Sequence, residues 1–214
     1  MKMIRAVLSA LLMLVILGNV CKADQNNQEQ WVMDSIWGSM TYEQQYNTEI
    51  KYKANAVRLS VEDFELFARC VEAESNRSNF MLNETTDSRL YCAICIWDRV
   101  YSDEFPNTVR AVLTEPGQFT TVSSSGNCRI NSTLASEWAI IKARELIVNG
   151  EVPNNLLYFN CIGYNGFTPY GYIGDNYFMT TGDPTFFNKT DTHLDCEGVL
   201  VITRGDDNYD SEDY

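Results

Sequence analysis

The chain has 214 residues, with 29 Asp and Glu against 16 Lys and Arg and a formal net charge of −13 at pH 7. So acidic a surface repels nucleic-acid phosphates and anionic lipid, which argues against nucleic acid or a membrane surface as a partner. Attraction to any polyanionic polymer is confined to local, short-ranged contacts.

At the start of the chain, Lys2 and Arg5 precede an apolar stretch from Ala6 to Val20, and small residues follow around Ala23. This is the pattern of a secretory signal peptide over residues 1–23. The apolar run is about 15 residues, shorter than the ~20 a membrane-spanning helix needs, so the mature protein is expected to be secreted and free of the membrane once the signal is removed. Cleavage after Ala23 discards Cys21, Lys2, Arg5 and Lys22 and no acid, which takes the net charge from −13 to −16. Gly18-Asn19-Val20 lacks the small residue that directly precedes a lipid-modified cysteine.

Residues 24–58 form a polar leader segment rich in Gln, Asn and Glu. Trp31 and Trp37 lie within it, its periodicity is weak, and it is expected to be partly ordered against the domain that follows. From Ser60 the pattern changes. Ser60 is a helix cap, Asp63 follows three residues later, and apolar residues recur at Val61, Phe64, Phe67, Ala68 and Val71, which predicts a helix from Val61 to about Glu74. Residues 76–86 are polar and read as a loop, after which Asp87 or Ser88 opens a second helix to about Val100. Phe105-Pro106-Asn107 is a turn, Thr108 to Leu113 a short helix, and Glu115-Pro116-Gly117 another turn, leading to Gln118-Phe119. Leu134 to Val148 is helix-periodic and stops at Asn149-Gly150. Leu156-Leu157-Tyr158-Phe159 and Gly198 to Ile202 read as strands. The fold class is therefore α+β, one compact, mainly helical domain over 59–204 with a small β-sheet, followed by an acidic disordered tail over 205–214.

Six cysteines remain in the mature chain: Cys70, Cys92, Cys95, Cys128, Cys161 and Cys196. An even count in an oxidising compartment suggests disulfides, with the pairing left open. Cys92 and Cys95 have the spacing of a redox or zinc pair, but they lie in an apolar helix and no second such pair exists, so structural roles are favoured. With a single histidine, His193, a zinc amidase lacks its ligands. A Cys161–His193 peptidase has no accompanying motif. No metal or cofactor is expected.

The first predicted helix carries Glu62, Glu65, Glu72 and Glu74. At about 100° per residue, Glu74 falls within ~20° of Phe67 and continues the apolar face. Glu65 and Glu72 point the other way, with Arg69 between them at ion-pairing spacing. An inward carboxyl at a helix end suits a general acid, because burial favours the neutral form. The alternative is that Glu74 merely ends the helix at the surface.

The segment Leu66-Phe67-Ala68-Arg69-Cys70-Val71-Glu72-Ala73-Glu74 resembles the opening motif of the SleB/CwlJ cell-wall hydrolases, in which an Ala-Arg pair precedes a catalytic Glu. The likeness continues, in order, through Ala93 to Val100, Phe105-Pro106-Asn107-Thr108-Val109, Glu115-Pro116-Gly117-Gln118-Phe119, Leu157-Tyr158-Phe159, and Ile173-Gly174 with Phe178. The resemblance implies a lysozyme-like fold, with Glu74 as the single acid–base that cleaves the MurNAc–GlcNAc β-1,4 bond of peptidoglycan glycan strands. The reaction is then a lytic transglycosylase or muramidase one, on spore cortex or vegetative wall, carried out by a monomer. It also implies substrate contacts by Gln118, Phe119, Tyr158 and Phe159, for which core packing of the rings is the alternative.

The chain departs from that pattern in three places. Ser75-Asn76-Arg77-Ser78 replaces the small residue and Gly-Glu pair after the catalytic Glu. Asp98 stands for an Asn, as a second carboxylate of the site or a plain helix-surface or capping group, and Asn176 stands for a His. These departures also suit a second reading, a peptidoglycan-binding protein on the same fold without turnover. Sequons occur at Asn76, Asn83, Asn131 and Asn188.

Overall fold

A computed structural model of the chain describes residues 34–75, 87–187, 192–194 and 200–202. The expected signal peptide, Cys21, Arg77, Cys196, the sequons at Asn76, Asn83 and Asn188, and the expected acidic tail lie outside the described residues, as does the side chain of His193. The chain divides into two compact units at Glu49/Ile50. The first contains a helix over 34–39 (α1) and the opening half of α2 (Tyr42–Ala56). The second begins inside α2, where Ile50, Lys53, Ala54 and Val57 are buried.

The second unit is built on three capped helices. Ser60 accepts a hydrogen bond from Asp63 N–H and opens α3 (Val61–Glu74), whose Phe64, Phe67, Ala68 and Val71 are all buried. Asp87 caps α4 (Ser88–Tyr101) by accepting from Arg89 N–H. Every residue of α4 from Cys92 to Arg99 is buried, which makes α4 the central helix rather than a surface one. Thr133 and Ser136 form a reciprocal capping box at the head of α6 (Leu134–Val148), which packs along α4. Trp97 ties this seam, donating its Nε1–H to the Ile140 carbonyl at 3.1 Å and meeting Phe67 edge to face at 5.4 Å between ring centres. The short α5 (Val109–Thr114), capped by Thr108, lies against α3 and α4. Gly150, with φ of +65°, ends α6 in the left-handed conformation that glycine adopts without strain.

A three-stranded antiparallel sheet closes the unit, in the order β1 (Tyr158–Asn160), β3 (Asn176–Thr180), β2 (Thr168–Ile173). Phe159 pairs with Phe178 across β1 and β3, Tyr172 pairs with Tyr177 across β2 and β3, and a bulge at Tyr170 shifts the register between Pro169 and Gly171. A separate hairpin pairs β4 (Thr192–Leu194) with β5 (Leu200–Ile202). The architecture is α+β and mainly helical with a small sheet, as the sequence pattern predicts. Among the described residues no helix is long and apolar enough to cross a membrane.

Two expectations are corrected. Cys70, Cys92, Cys95, Cys128 and Cys161 are all free thiols, so the disulfides inferred from their even number do not form among them. The first four are buried, and burial pushes the Cys70, Cys92 and Cys95 thiols well above their ordinary range, which leaves them inert packing groups. Glu72 does not point outward with Glu65. Arg69 reaches Glu65 at 3.8 Å, whereas Glu72 is buried and accepts from Arg89 Nε at 3.0 Å and from the Thr133 hydroxyl at 2.7 Å.

Candidate functional site

Glu74 is the last residue of α3 and is half-buried. Its position is fixed at three points. The Thr121 hydroxyl donates to its Oε1 at 2.6 Å. The Asn176 side-chain amide, on β3, donates to its backbone carbonyl at 3.0 Å. The next residue, Ser75, is buried, and its carbonyl accepts from the Ser88 hydroxyl at the head of α4 at 2.7 Å. A free helix C-terminus leaves carbonyls unsatisfied, and here a strand and a neighbouring helix supply the missing donors. None of the ion pairs among the described residues involves Glu74. The carboxylate therefore keeps Oε2 uncommitted to any described donor.

Thr121 is delivered by a double turn. Gln118 N–H bonds the Glu115 carbonyl at 3.2 Å and Val122 N–H the Phe119 carbonyl at 3.3 Å. Gln118 is exposed at the crest, while Phe119, at 5 % exposure, is driven into the core as the anchor. Phe119 packs against Phe159 with ring centres 6.3 Å apart, and Phe159 stacks on Phe178 at 5.6 Å. Tyr158 stacks on Phe167 at 4.3 Å, and both remain partly open to solvent. Tyr158 thus belongs to one ring group with Phe105 and Phe167, and Phe119 and Phe159 to another with Phe178. Thr121, two residues after Phe119, and Asn176, on the strand of Phe178, link the second group to Glu74.

Asp98 is neither a second site carboxylate nor a surface group. It is fully buried, its Oδ2 accepts from Leu156 N–H at 2.8 Å, and its Oδ1 has no partner. Burial pushes this carboxyl well above the ordinary range, the Leu156 hydrogen bond opposing in part. Arg99, beside it, is buried with its guanidinium carbon 5.0 Å from the Phe105 ring, 5.2 Å from Phe119 and 5.8 Å from Tyr158. Near Glu74, burial and then the Glu74 charge raise the Cys70 thiol, while a Thr121 hydrogen bond lowers it, so Cys70 is no nucleophile. Cys161, the other half of the peptidase alternative, lies exposed in the loop after β1.

Sequence reasoning missed Thr121 and gave Asn176 only as a departure. The residues that follow Gln118-Phe119 in sequence carry the sole available signal: a hydroxyl two residues past an apolar turn anchor.

Comparison with known proteins places this geometry in context. A family model described as Cell Wall Hydrolase matches residues 83–193, a span that opens beyond Glu74 and takes in Gln118, Thr121, Tyr158 and Asn176. Two solved structures are similar. One is the catalytic domain of the Bacillus cereus SleB protein, at 25% identity over 56% of this chain and 91% of that chain, with a TM-score of 0.45. The other is the catalytic domain of the germination-specific lytic transglycosylase SleB from Bacillus anthracis, at 26% identity over 56% of this chain and 96% of that chain, with a TM-score of 0.44. No curated protein matches the chain.

Proposed function

Because the chain belongs to the cell wall hydrolase family, we propose that it is a secreted, monomeric peptidoglycan-cleaving enzyme that breaks the MurNAc–GlcNAc β-1,4 bond, with Glu74 as its single acid–base group. The observation that carries this reading is the Thr121–Glu74 contact. A carboxyl at a helix end has one oxygen occupied by a hydroxyl donor and its main chain fixed by Asn176 and Ser88, while no cation of the described residues neutralises it.

In the proposed reaction Thr121 holds Oε1, so the transferable proton sits on Oε2. Glu74 gives that proton to the bridging oxygen as the C1–O bond breaks, and the carboxylate then takes a proton from the muramic C6 hydroxyl or from water as that oxygen bonds C1. Attack by the hydroxyl gives a 1,6-anhydro product, attack by water a reducing end, and neither route needs a second carboxylate of the usual glycosidase pair. Gln118, exposed on its turn, is assigned to a polar group of the sugar, and Tyr158 and Phe159, both half-buried, to the apolar faces of sugar rings. Phe119 is assigned the support of the turn, because its buried ring presents too little surface to a glycan.

The test is to incubate purified cortex and vegetative peptidoglycan with the mature protein and to assay for 1,6-anhydromuropeptides and reducing ends. Product with wild type and none with Glu74→Gln is expected. Binding without either product would favour the turnover-deficient wall-binding reading.

A further inference from the structure

Two adjacent residues of α4 grip the entrance to β1 from below. Asp98 accepts from Leu156 N–H, and Arg99 donates its Nε–H to the Leu157 carbonyl, each at 2.8 Å, one residue before Tyr158. Arg99 is costly where it stands. The residue is 4 % exposed, it belongs to none of the ion pairs among the described residues, and its Nη1 has no hydrogen-bond partner. If the position only had to be filled, an apolar side chain of that length would do so without desolvating a cation.

Besides the hydrogen bond to Leu157, what an apolar side chain lacks is a planar cation that attracts ring faces. The Arg99 guanidinium lies 5.0 to 5.8 Å from three rings that come from three separate segments: Phe105 after α4, Phe119 in the double turn, and Tyr158 in β1. Phe119 leads directly to the reacting group. Its carbonyl closes the turn through Val122 N–H, that turn contains Thr121, and Thr121 meets Glu74 at 2.6 Å.

We propose that Arg99 is a positioning residue for Glu74: by holding Phe119 among the rings above it, Arg99 fixes the turn that brings the Thr121 hydroxyl to the Glu74 carboxylate. The proposal rests on Glu74 being the acid. A serial arrangement makes a demand that a merely structural arginine does not, since losing Arg99 and losing the Thr121 hydroxyl must then be one loss rather than two.

The experiment measures kcat and KM on soluble glycan fragments for wild type, Arg99→Met, Thr121→Val, the double variant and Glu74→Gln. Thermal melts identify a temperature at which every variant is folded. Arg99→Met is expected to lower kcat by up to about tenfold, no more than loss of the Thr121 hydroxyl through which it acts, with KM changed much less. Arg99→Lys, which keeps the charge but not the planar face, should recover part of that loss. The double variant should be no slower than the slower single. Multiplicative losses in the double variant, a change confined to KM, or wild-type kcat in folded Arg99→Met would overturn the proposal. Should Arg99→Met not fold, the same cycle with Arg99→Lys decides it. An active Glu74→Gln overturns both this inference and the assignment of the acid, whereas an inactive Glu74→Gln with multiplicative losses overturns Arg99 alone.

Discussion

Glu72 and Glu74 stand two residues apart on one helix and live in opposite environments. Glu72 is buried and held by two donors. Arg89 and Thr133 both donate to its Oε2, Asp87 completes the charge on Arg89, and Lys53 pairs with Glu137 at 2.7 Å on α6 close by in sequence to Thr133. Glu74 is half-buried and has a single hydroxyl on its carboxylate. A buried ion pair that lost one partner would leave the other charge stranded, so Glu72 is suited to holding α3, α4 and α6 together and unsuited to exchanging protons. Glu74 has the spare valence that proton transfer needs. On the proposed reading, the helix separates a structural acid from a chemical one by the partners that other elements bring to each.

The sharpest way to break this contrast is to neutralise each acid in turn. Glu74→Gln should lower kcat by about 10²- to 10⁴-fold, the range for loss of a general acid, while its urea denaturation curve overlays that of wild type. Glu72→Gln should do the reverse. With the buried Glu72–Arg89 ion pair broken, unfolding free energy should fall by about 3 kcal/mol, at the lower end for such a pair, and kcat per folded molecule should hold. If Glu72→Gln lost turnover without losing stability, the division of labour would be wrong. A smaller effect is expected at Thr121, where valine keeps the shape and removes the hydroxyl. One hydrogen bond to a charged group corresponds to about 1.5 kcal/mol, so kcat should drop roughly tenfold with little change in the melting temperature.

The inward, half-buried position of Glu74 was legible in the sequence and the buried position of Glu72 was not, for the same physical reason. Helical phase reads only what a helix does to itself: it found the apolar face, placed α3 between Ser60 and Glu74, and found the Glu65–Arg69 pair. It assigned Glu72 outward because the groups that bury it, Arg89 and Thr133, lie 17 and 61 residues away. Thr121 and Asn176 escaped for the same cause, at 47 and 102 residues from Glu74. The elements themselves were readable, since the Ser60 cap and the Asn149-Gly150 stop are local signals. The cysteine count misled. An even number suggests bridges only if the thiols face one another, whereas four of these pack as small apolar groups inside the helical core.

Asp98 extends the comparison to a third acid, which has neither the cation of Glu72 nor the partial exposure of Glu74. Its folded-state carboxyl is raised well above the ordinary range by burial, so it carries its proton to a higher pH in the folded chain than in the unfolded one. The sign follows directly. The folded state binds more protons here, so this group's contribution to stability is fully present below the ordinary aspartate value, near pH 4, and is lost as pH rises toward the raised folded value. Asparagine mimics the protonated acid, keeping an oxygen for Leu156 N–H and adding no charge. Asp98→Asn should therefore leave stability at pH 4 nearly unchanged and raise it at pH 7, where the contribution of the wild-type carboxyl is being lost. Urea unfolding at the two pH values checks this. A variant destabilised equally at both would mean that Oδ1 has a partner that asparagine cannot satisfy, and that Asp98 is held as an ion after all.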